Sequence, residues 1–259
     1  MIDPVAIPRW RCAVYEQTGR YYAFFGPTAQ VTQEEQRFFA HWTAGRQRAL
    51  DLGAGLCGPA TMLARLGLDV LAFEPSPELA ALALDRLSRG DDVERSVTLV
   101  DGFTESLSEP FAADVILLRS VLMLLSGTER NTVLKAARRH AAPRARLICD
   151  VRTAALTWAD GSSRMDERAQ GHTCFRRCTR YSRDTSGATR VEWSIQAERF
   201  GRTYHLGSET FTVGADTPDD LSRLLHAFGF ELKQLYGAYD LDRSYDERSA
   251  MIVAVAEMR

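Results

Sequence analysis

Lysine is almost missing from this chain. Of its 32 basic residues only Lys135 and Lys233 are lysines, and the other 30 are arginines scattered over every segment with no dominant run. A net basic excess is missing too. Against 34 acidic residues the balance is −2, with a pI near 6.2, which excludes a whole-chain electrostatic footprint for nucleic acid. No apolar run approaches the roughly 20 residues needed to span a bilayer. The opening stretch lacks the basic and then apolar regions of a secretory leader. Cysteines are few and odd in number: Cys12, Cys57, Cys149, Cys174 and Cys178. Cys174 and Cys178 lie four apart, but no second pair or histidine doublet completes a zinc set, so no metal is expected. Reduced thiols and no leader point to a cytosolic protein. With 45% apolar and 25% charged residues, 18 glycines and 9 prolines, collagen-like, low-complexity and disordered chains are also excluded.

What is present is an alternation of short apolar strands and capped helices. Thr32-Gln-Glu-Glu35 has capping-box spacing ahead of Phe38, Phe39 and Trp42, predicting a helix. Arg48–Leu52 reads as a buried strand that runs into the glycine-rich turn Gly53-Ala54-Gly55-Leu56-Cys57-Gly58, with Pro59 placed to open a helix. Asp69–Glu74 is a second strand, and Pro75-Ser76-Pro77 opens another helix. Strands follow at 97–100, 114–118 and 146–151, and a capping box at Ser126–Glu129 starts the helix before the last of these. This texture predicts a doubly wound parallel α/β sheet. Beyond about residue 152 it changes to three extended segments, 172–182, 189–200 and 203–213. Polar turns at 184–187 and Gly201-Arg202 join them into an antiparallel meander. A helix capped at Thr217 and strands near 230–236 and 250–256 return to the α/β pattern. The expected organisation is an aromatic-rich N-terminal lid and helix (1–45), a main domain (46–151 and 214–259), and an inserted antiparallel β cap (152–213).

The sharpest local signal is Asp51-Leu-Gly53-Ala54-Gly55-Leu-Cys-Gly58 followed by Glu74. Glycines at a strand-to-helix turn let backbone approach a ligand, and the helix N-terminus behind them offers free N–H donors. Glu74, 23 residues past Asp51 at the end of the next strand, suits both hydroxyls of a ribose. Nucleoside binding is therefore expected. The glycine spacing also fits a dinucleotide fingerprint, so NAD is a rival. Three features favour another nucleoside ligand. Asp51 is placed to meet a cationic amine, an aromatic segment precedes the turn, and no second dinucleotide-binding half follows it.

The chain resembles the class I S-adenosylmethionine-dependent methyltransferases. The likeness is carried by Leu50-Asp51-Leu52-Gly53-Ala54-Gly55, Phe73-Glu74-Pro75-Ser76, Asp101-Gly102-Phe103 and Asp114–Leu118 with Arg119-Ser120. It extends to Gly229-Phe230-Glu231 through Tyr236-Gly237 and Met251–Val255. The resemblance implies a Rossmann-like, seven-stranded, mostly parallel sheet, and S-adenosylmethionine as cofactor with S-adenosylhomocysteine as product. It implies that Asp51 meets the methionine amino group, that Gly53, Ala54 and Gly55 pass the methionine moiety, and that Glu74 with Pro75 holds the ribose. Gly102 and Phe103 fall where a Gly-Asp pair usually meets adenine, and Phe103 departs from that Asp. Arg119 and Ser120 fall near the transferred methyl, and Leu124 stands where many relatives carry a histidine. The β insertion is similar to that of bacterial secondary-metabolite methyltransferases, including those acting on sugar amines.

Methyl transfer is an in-line displacement, so the protein chiefly aligns nucleophile and methyl group. A hydroxyl nucleophile usually needs a general base, whereas an amine need only be neutral. The base candidates are His172, His205 and Tyr181 in the meander, then Tyr204 and Asp150. Tyr15, Tyr21 and Tyr22 are placed to close over a sulfonium, because aromatic faces attract cations, or to pack the N-terminal helix. Arg11 or Arg20 is available for the methionine carboxylate. The expected substrate is a small molecule methylated on N or O, with no nucleic acid or membrane partner and with scope for a homodimer. The rivals are altered or cyclase-like chemistry on the same fold, a non-catalytic scaffold, an NAD-dependent oxidoreductase, and an RNA or protein methyltransferase.

Overall fold

The computed structural model describes residues 15, 17–25, 31–104, 107, 109–155, 160–183 and 188–259. A 3-10 turn (Gly19–Tyr21) runs into one helical turn, α1 (Tyr22–Phe25), and then comes α2 (Gln33–Thr43). The main sheet contains β1 (Arg48–Leu52), β2 (Asp69–Glu74), β3 (Thr98–Asp101), β4 (Ala113–Leu118), β5 (Ala141–Arg152), β10 (Phe230–Tyr236) and β11 (Met251–Met258). Helices α3 (Gly58–Arg65), α4 (Pro77–Arg89), α5 (Asp92–Ser96), α6 (Gly127–His140) and α7 (Pro218–Ala227) connect them. The strand order is β10-β11-β5-β4-β1-β2-β3, with β1 to β5 mutually parallel and β11 antiparallel to both of its neighbours.

Local chemistry explains the element boundaries. Thr32, Ser126 and Thr217 each form a reciprocal capping box with the third residue of the helix that follows. Such a box satisfies two backbone N–H groups that otherwise have no partner. Ser76 caps α4, and Pro77 opens it with its φ already helical. The central strands are apolar on both faces, with Leu50, Leu52, Ile116, Leu117 and Leu118 fully buried between the helix layers. Burying one such side chain contributes about 1.5–3 kcal/mol.

The inserted sheet has four strands where three were expected: β6 (Ser163–Gln170), β7 (Thr173–Arg183), β8 (Thr189–Arg199) and β9 (Arg202–Val213), in that order and all antiparallel. The extra strand, β6, lies at the edge, and its sequence Ser-Arg-Met-Asp-Glu-Arg-Ala-Gln is exposed at seven of eight positions. Without a buried face it has no apolar alternation to read. The turn expected at Gly201-Arg202 falls one residue earlier. Phe200 and Gly201 have φ of +53° and +71°, and Arg199 pairs directly with Arg202, the backbone of a two-residue hairpin of the mirror-image type. The turn expected at 184–187 lies outside the described residues.

The cap sits over the carboxyl ends of β1, β4 and β5. Met123 and Leu124, in the short 3-10 turn Leu122–Leu124 after β4, pack with Tyr181, Val191, Trp193, Phe211 and Val213 of the cap. The chain returns to the main sheet at Asp216, whose carboxylate takes two bonds from the Arg130 guanidinium at 2.6 and 2.9 Å. The N-terminal segment closes the other side. The Gln17 N–H and the Thr18 hydroxyl both donate to Glu209 of β9, and Phe24 lies against Phe175 of β7.

Candidate active site

The site forms where the strand order reverses, between β1 and β4, the place at which open parallel sheets leave a crevice. β1 delivers Asp51 to the sheet's carboxyl edge and stops at Leu52. Gly53 follows at φ +81°, and a Cβ there would meet a Val121 methyl at 2.6 Å, so both the dihedral and the space require glycine. The N–H groups of Gly53 and Ala54 both donate to the Phe73 carbonyl, at 2.8 and 2.9 Å. That tie brings the end of β2 to the turn. One Glu74 oxygen accepts the Gly55 N–H at 2.7 Å, and the other accepts the Ser76 N–H at 2.8 Å.

The two acids are therefore buried side by side. Asp51 is 1% exposed, and its Oδ2 has no hydrogen-bond partner among the described residues. Burial pushes its carboxyl up to about 7. The Arg119 guanidinium acts in the opposite direction, and the Glu74 charge adds to the rise. Glu74 is also raised to about 7 by burial, against the two backbone N–H bonds it accepts. A buried carboxylate oxygen with no donor is costly. A ligand ammonium or a pair of hydroxyls would satisfy this end of the site.

Above the acids lies a cavity of about 460 Å³. Of the residues expected at a cofactor site, Tyr22, Gly53, Gly55, Glu74, Pro75, Phe103, Arg119 and Ser120 line it. Asp51 and Ala54 lie buried in the turn just behind the wall. Gly102 stands one residue before Phe103, donates its N–H to the Glu74 carbonyl at 3.0 Å, and is not on the wall. Arg119 ion-pairs with Glu35 of α2 and lies 5.3 Å over the Tyr239 ring. Of the aromatic N-terminal residues, Tyr15 and Tyr22 reach the cavity, whereas Tyr21 packs towards Phe175. Burial raises the Tyr22 phenol to about 12, so it stays neutral. Arg20 points away and pairs with Glu78 at 3.4 Å. Arg11 lies outside the described residues.

The base candidates separate sharply. Tyr181 lines the cavity, with its phenol raised by burial. His172 sits at the turn between β6 and β7, against Phe200, and does not line the cavity. His205 faces away for a specific reason. The register of β8 and β9 slips between Ile195↔Gly207 and Gln196↔His205. This bulge puts His205 on the outer face beside the exposed Gln196, where its ring meets the Ser208 hydroxyl at 3.2 Å. Tyr204 is half exposed on the same strand. Asp150 is buried beneath Ser120 and accepts its N–H at 2.5 Å. Among the described residues, no histidine lines the cavity.

Some of the wall was not expected from sequence. Beside the expected Tyr181, the inner face of the cap presents Arg164, Arg177, Trp193 and Phe211 to the cavity, and Arg152 at the end of β5 joins them. Arg177 is held by Asp166 at 2.7 Å, with its guanidinium 5.3 Å from the Phe25 ring and 4.9 Å from that of Trp193. Cross-strand pairing identifies this face: Arg164 pairs with Thr179, Asp166 with Arg177, and Tyr181 with Val191.

Residues 50–147 match the profile of a family described as a methyltransferase domain. This stretch is similar to a methyltransferase domain. That span runs from the last residues of β1 through the glycine-rich turn, Glu74 and Phe103 to β5, and so contains the acidic end of the cavity. No match was found among curated protein sequences. Among solved structures, the chain resembles the CcbJ methyltransferase of Streptomyces caelestis at 17% identity and a TM-score of 0.71, covering 94% of this chain and 96% of that one. The sugar N-methyltransferase KedS8 of Streptoalloteichus sp. ATCC 53650 aligns at 19% identity and a TM-score of 0.70, covering 92% and 91%. CalS10 of Micromonospora echinaspora, an amino pentose methyltransferase in calicheamicin biosynthesis solved with S-adenosylmethionine bound, aligns at 20% identity and 0.64, covering 87% and 88%. At these coverages the likeness extends well beyond residues 50–147.

Proposed function

We propose that this protein transfers the methyl group of S-adenosylmethionine to a nitrogen or oxygen of a small molecule, with an amine the better fit. The observation that carries the reading is the unsatisfied Asp51 carboxylate oxygen beside Glu74, under a glycine-rich turn at the floor of an aromatic-roofed cavity. The groups present fit the cofactor. Asp51 would take the methionine ammonium, and Glu74 the ribose hydroxyls. Gly53, Ala54 and Gly55 would flank the methionine chain, Pro75, Gly102 and Phe103 the nucleoside, and Arg119, Ser120 and Tyr22 the reacting end. Bound there, the cofactor supplies an electrophilic methyl carbon on a sulfonium. The protein's part is to hold an acceptor in line and exclude water, which can supply on the order of 7–11 kcal/mol of the barrier.

An amine is favoured over a hydroxyl because a hydroxyl usually needs a base, and neither His172 nor His205 reaches the wall. Tyr181 and Tyr22, raised by burial, are phenols rather than phenolates. Solved relatives that act on sugar amines and glycopeptides support the same class of acceptor. On this reading residues 152–213 are a substrate cap on a catalytic unit of 46–151 and 214–259. The enzyme is cytosolic, acts on a bacterial secondary metabolite and needs no nucleic acid. A second copy would pair along the free edges of β6 and β9. Among the described residues, no helix is long and apolar enough to cross a membrane. Calorimetric titration with S-adenosylhomocysteine and with NAD tests the reading. Saturable binding of the first is expected, and binding of NAD alone would overturn it.

A further inference from the structure

The cavity is electrically lopsided. Its floor carries Glu74, with Asp51 buried just behind it, and the two acids complement a cationic cofactor. Its cap side carries three guanidinium groups, from Arg152, Arg164 and Arg177. Two largely buried carboxylates stand on the cap's inner face: Glu209, taken by the Gln17 N–H and the Thr18 hydroxyl, and Asp166, which is shared. It takes Arg177 at 2.7 Å and Arg164 at 2.8 Å, and is itself largely buried. Arg152 has no ion pair and no side-chain hydrogen bond among the described residues, although it ends β5 at the cavity wall. The nearby Asp216 carboxylate is already filled by Arg130. The basic field reaches the cavity's tyrosines: Arg164 and Arg177 act to lower Tyr181, and Arg119 and Arg177 to lower Tyr22, against the rise that burial causes. Arg177 is held by an acid and two aromatic rings, so it is a fixed piece of wall. Arg152, and Arg164 with its half-shared acid, are left to receive a ligand.

A net positive wall cannot be there for a sulfonium. Resting on the methyltransferase reading above, we infer that the cap half of the cavity is an anion subsite in which Arg152, assisted by Arg164, holds a carboxylate or phosphate of the acceptor. The body of that acceptor lies on Trp193, Phe211 and Tyr15, and its amine points to the glycine-rich turn. The fork of a guanidinium matches either oxyanion with two parallel N–H bonds. The aromatic faces favour a ring or apolar ring-like body. The same guanidinium groups also assist the chemistry, because nearby positive charge disfavours protonation of an amine. The acceptor would arrive with its nitrogen lone pair free. That lone pair forms the new N–C bond, the C–S pair returns to sulfur, and the extra N–H proton leaves to solvent.

The test uses the whole chain saturated with S-adenosylhomocysteine, whose own binding is measured first. Indole-3-propionate is compared with its neutral amide, and phenyl phosphate tells which oxyanion is preferred. The carboxylate is expected to bind about tenfold or more tightly than the amide, as a charge-assisted bond predicts. R152Q should reduce it to the level of the amide, and R152K should recover part of the difference. S-adenosylhomocysteine affinity should stay within about twofold in both variants, since a Coulombic wall this side of the acids does not touch it. Equal binding of acid and amide, or an R152Q protein that still prefers the acid, overturns the subsite. A tenfold loss of S-adenosylhomocysteine affinity in R152Q also overturns it, by assigning Arg152 to the cofactor's carboxylate. If S-adenosylhomocysteine does not bind the unaltered chain, the methyltransferase reading itself fails, which the first measurement reveals separately.

Discussion

The Tyr239 hydroxyl donates to Asp150 at 2.9 Å, and the same carboxylate oxygen accepts the backbone N–H of Ser120. Ser120 has φ +58°, a left-handed backbone that a non-glycine residue adopts only when its surroundings hold it there. Burial pushes the Asp150 carboxyl up. The Ser120 and Tyr239 bonds resist that rise, as do the charges of Arg152 and Arg119. Tyr239 thus anchors the turn that presents Arg119, Ser120 and Val121 to the cavity. Its ring also stacks on Phe39 at 5.4 Å, tying α2 to the same point.

Tyr239→Phe keeps the ring and removes one hydrogen bond to this buried acid. The expected cost is about 1–3 kcal/mol of stability. A lower affinity for S-adenosylhomocysteine should accompany it, because the Ser120 turn is freed to relax. Thermal unfolding and calorimetric titration read the two effects, and an unchanged melting temperature would remove Tyr239 from the network.

Glu74 has two tasks that one substitution can separate. In the free protein it accepts the Gly55 and Ser76 N–H groups, which shapes the turn, and with cofactor it is assigned the ribose hydroxyls. Glu74→Gln keeps one acceptor oxygen and nearly the same shape, so the fold should survive. Loss of charge-assisted ribose bonds, each worth about 1.5–3 kcal/mol, should weaken S-adenosylhomocysteine binding by at least about tenfold. Adenine, which lacks the ribose, should bind both proteins alike. Equal loss for adenine would mean that the turn had collapsed instead.

The raised acids make both stability and binding depend on pH. Asp51 and Glu74 have ordinary values of 3.8 and 4.5 and are each raised to about 7. In the folded, cofactor-free protein they hold protons that the unfolded chain releases. Their contribution to stability is therefore fully present below about pH 4 and is lost as pH rises through about 7. A cationic ligand prefers the ionised pair and reverses the sign. The rise in melting temperature caused by S-adenosylmethionine should be larger at pH 8 than at pH 6. Asp51→Asn should flatten part of that slope. A ligand effect that shrank towards pH 8 would contradict the assignment of these acids to the cofactor.

Most of the main domain was legible because short-range chemistry carries it. The capping residues Thr32, Ser126 and Thr217, Pro77 and the apolar run of β4 each act within a few positions, and all appear where their spacing predicts. The glycine-rich turn and Glu74 were legible for the same reason. What escaped is non-local. Tyr239 matters because it meets Asp150 from 89 positions away, and Glu35 because its second oxygen takes Arg119. Neither relationship leaves a periodic trace. The histidines of the meander drew attention through their chemistry alone. A single bulge, invisible in a pattern of alternating residues, turned His205 outward, and the same alternation left the polar edge strand β6 unseen.

The joint between cap and main domain rests on Arg130 and Asp216. Their side chains are 14% and 10% exposed, and they share two parallel bonds. The Arg130 Nε also donates to the Leu122 carbonyl at 2.8 Å, which fixes the turn under the cap. Removing one partner of a buried pair strands the other charge, at a cost of about 3–5 kcal/mol. Arg130→Ala should therefore destabilise the protein by about that amount, and cleavage by protease should appear first near residues 213–217. Asp216→Ala should cost a similar amount, and the double variant less than the two single costs added together, since neither charge is then left alone. The acidic floor of the cavity touches neither residue, so S-adenosylhomocysteine should still bind each variant at a temperature where it is folded. Strict additivity in the double variant would show that the two groups do not depend on each other, and that the cap is held instead by the apolar contacts of Met123, Val191 and Val213.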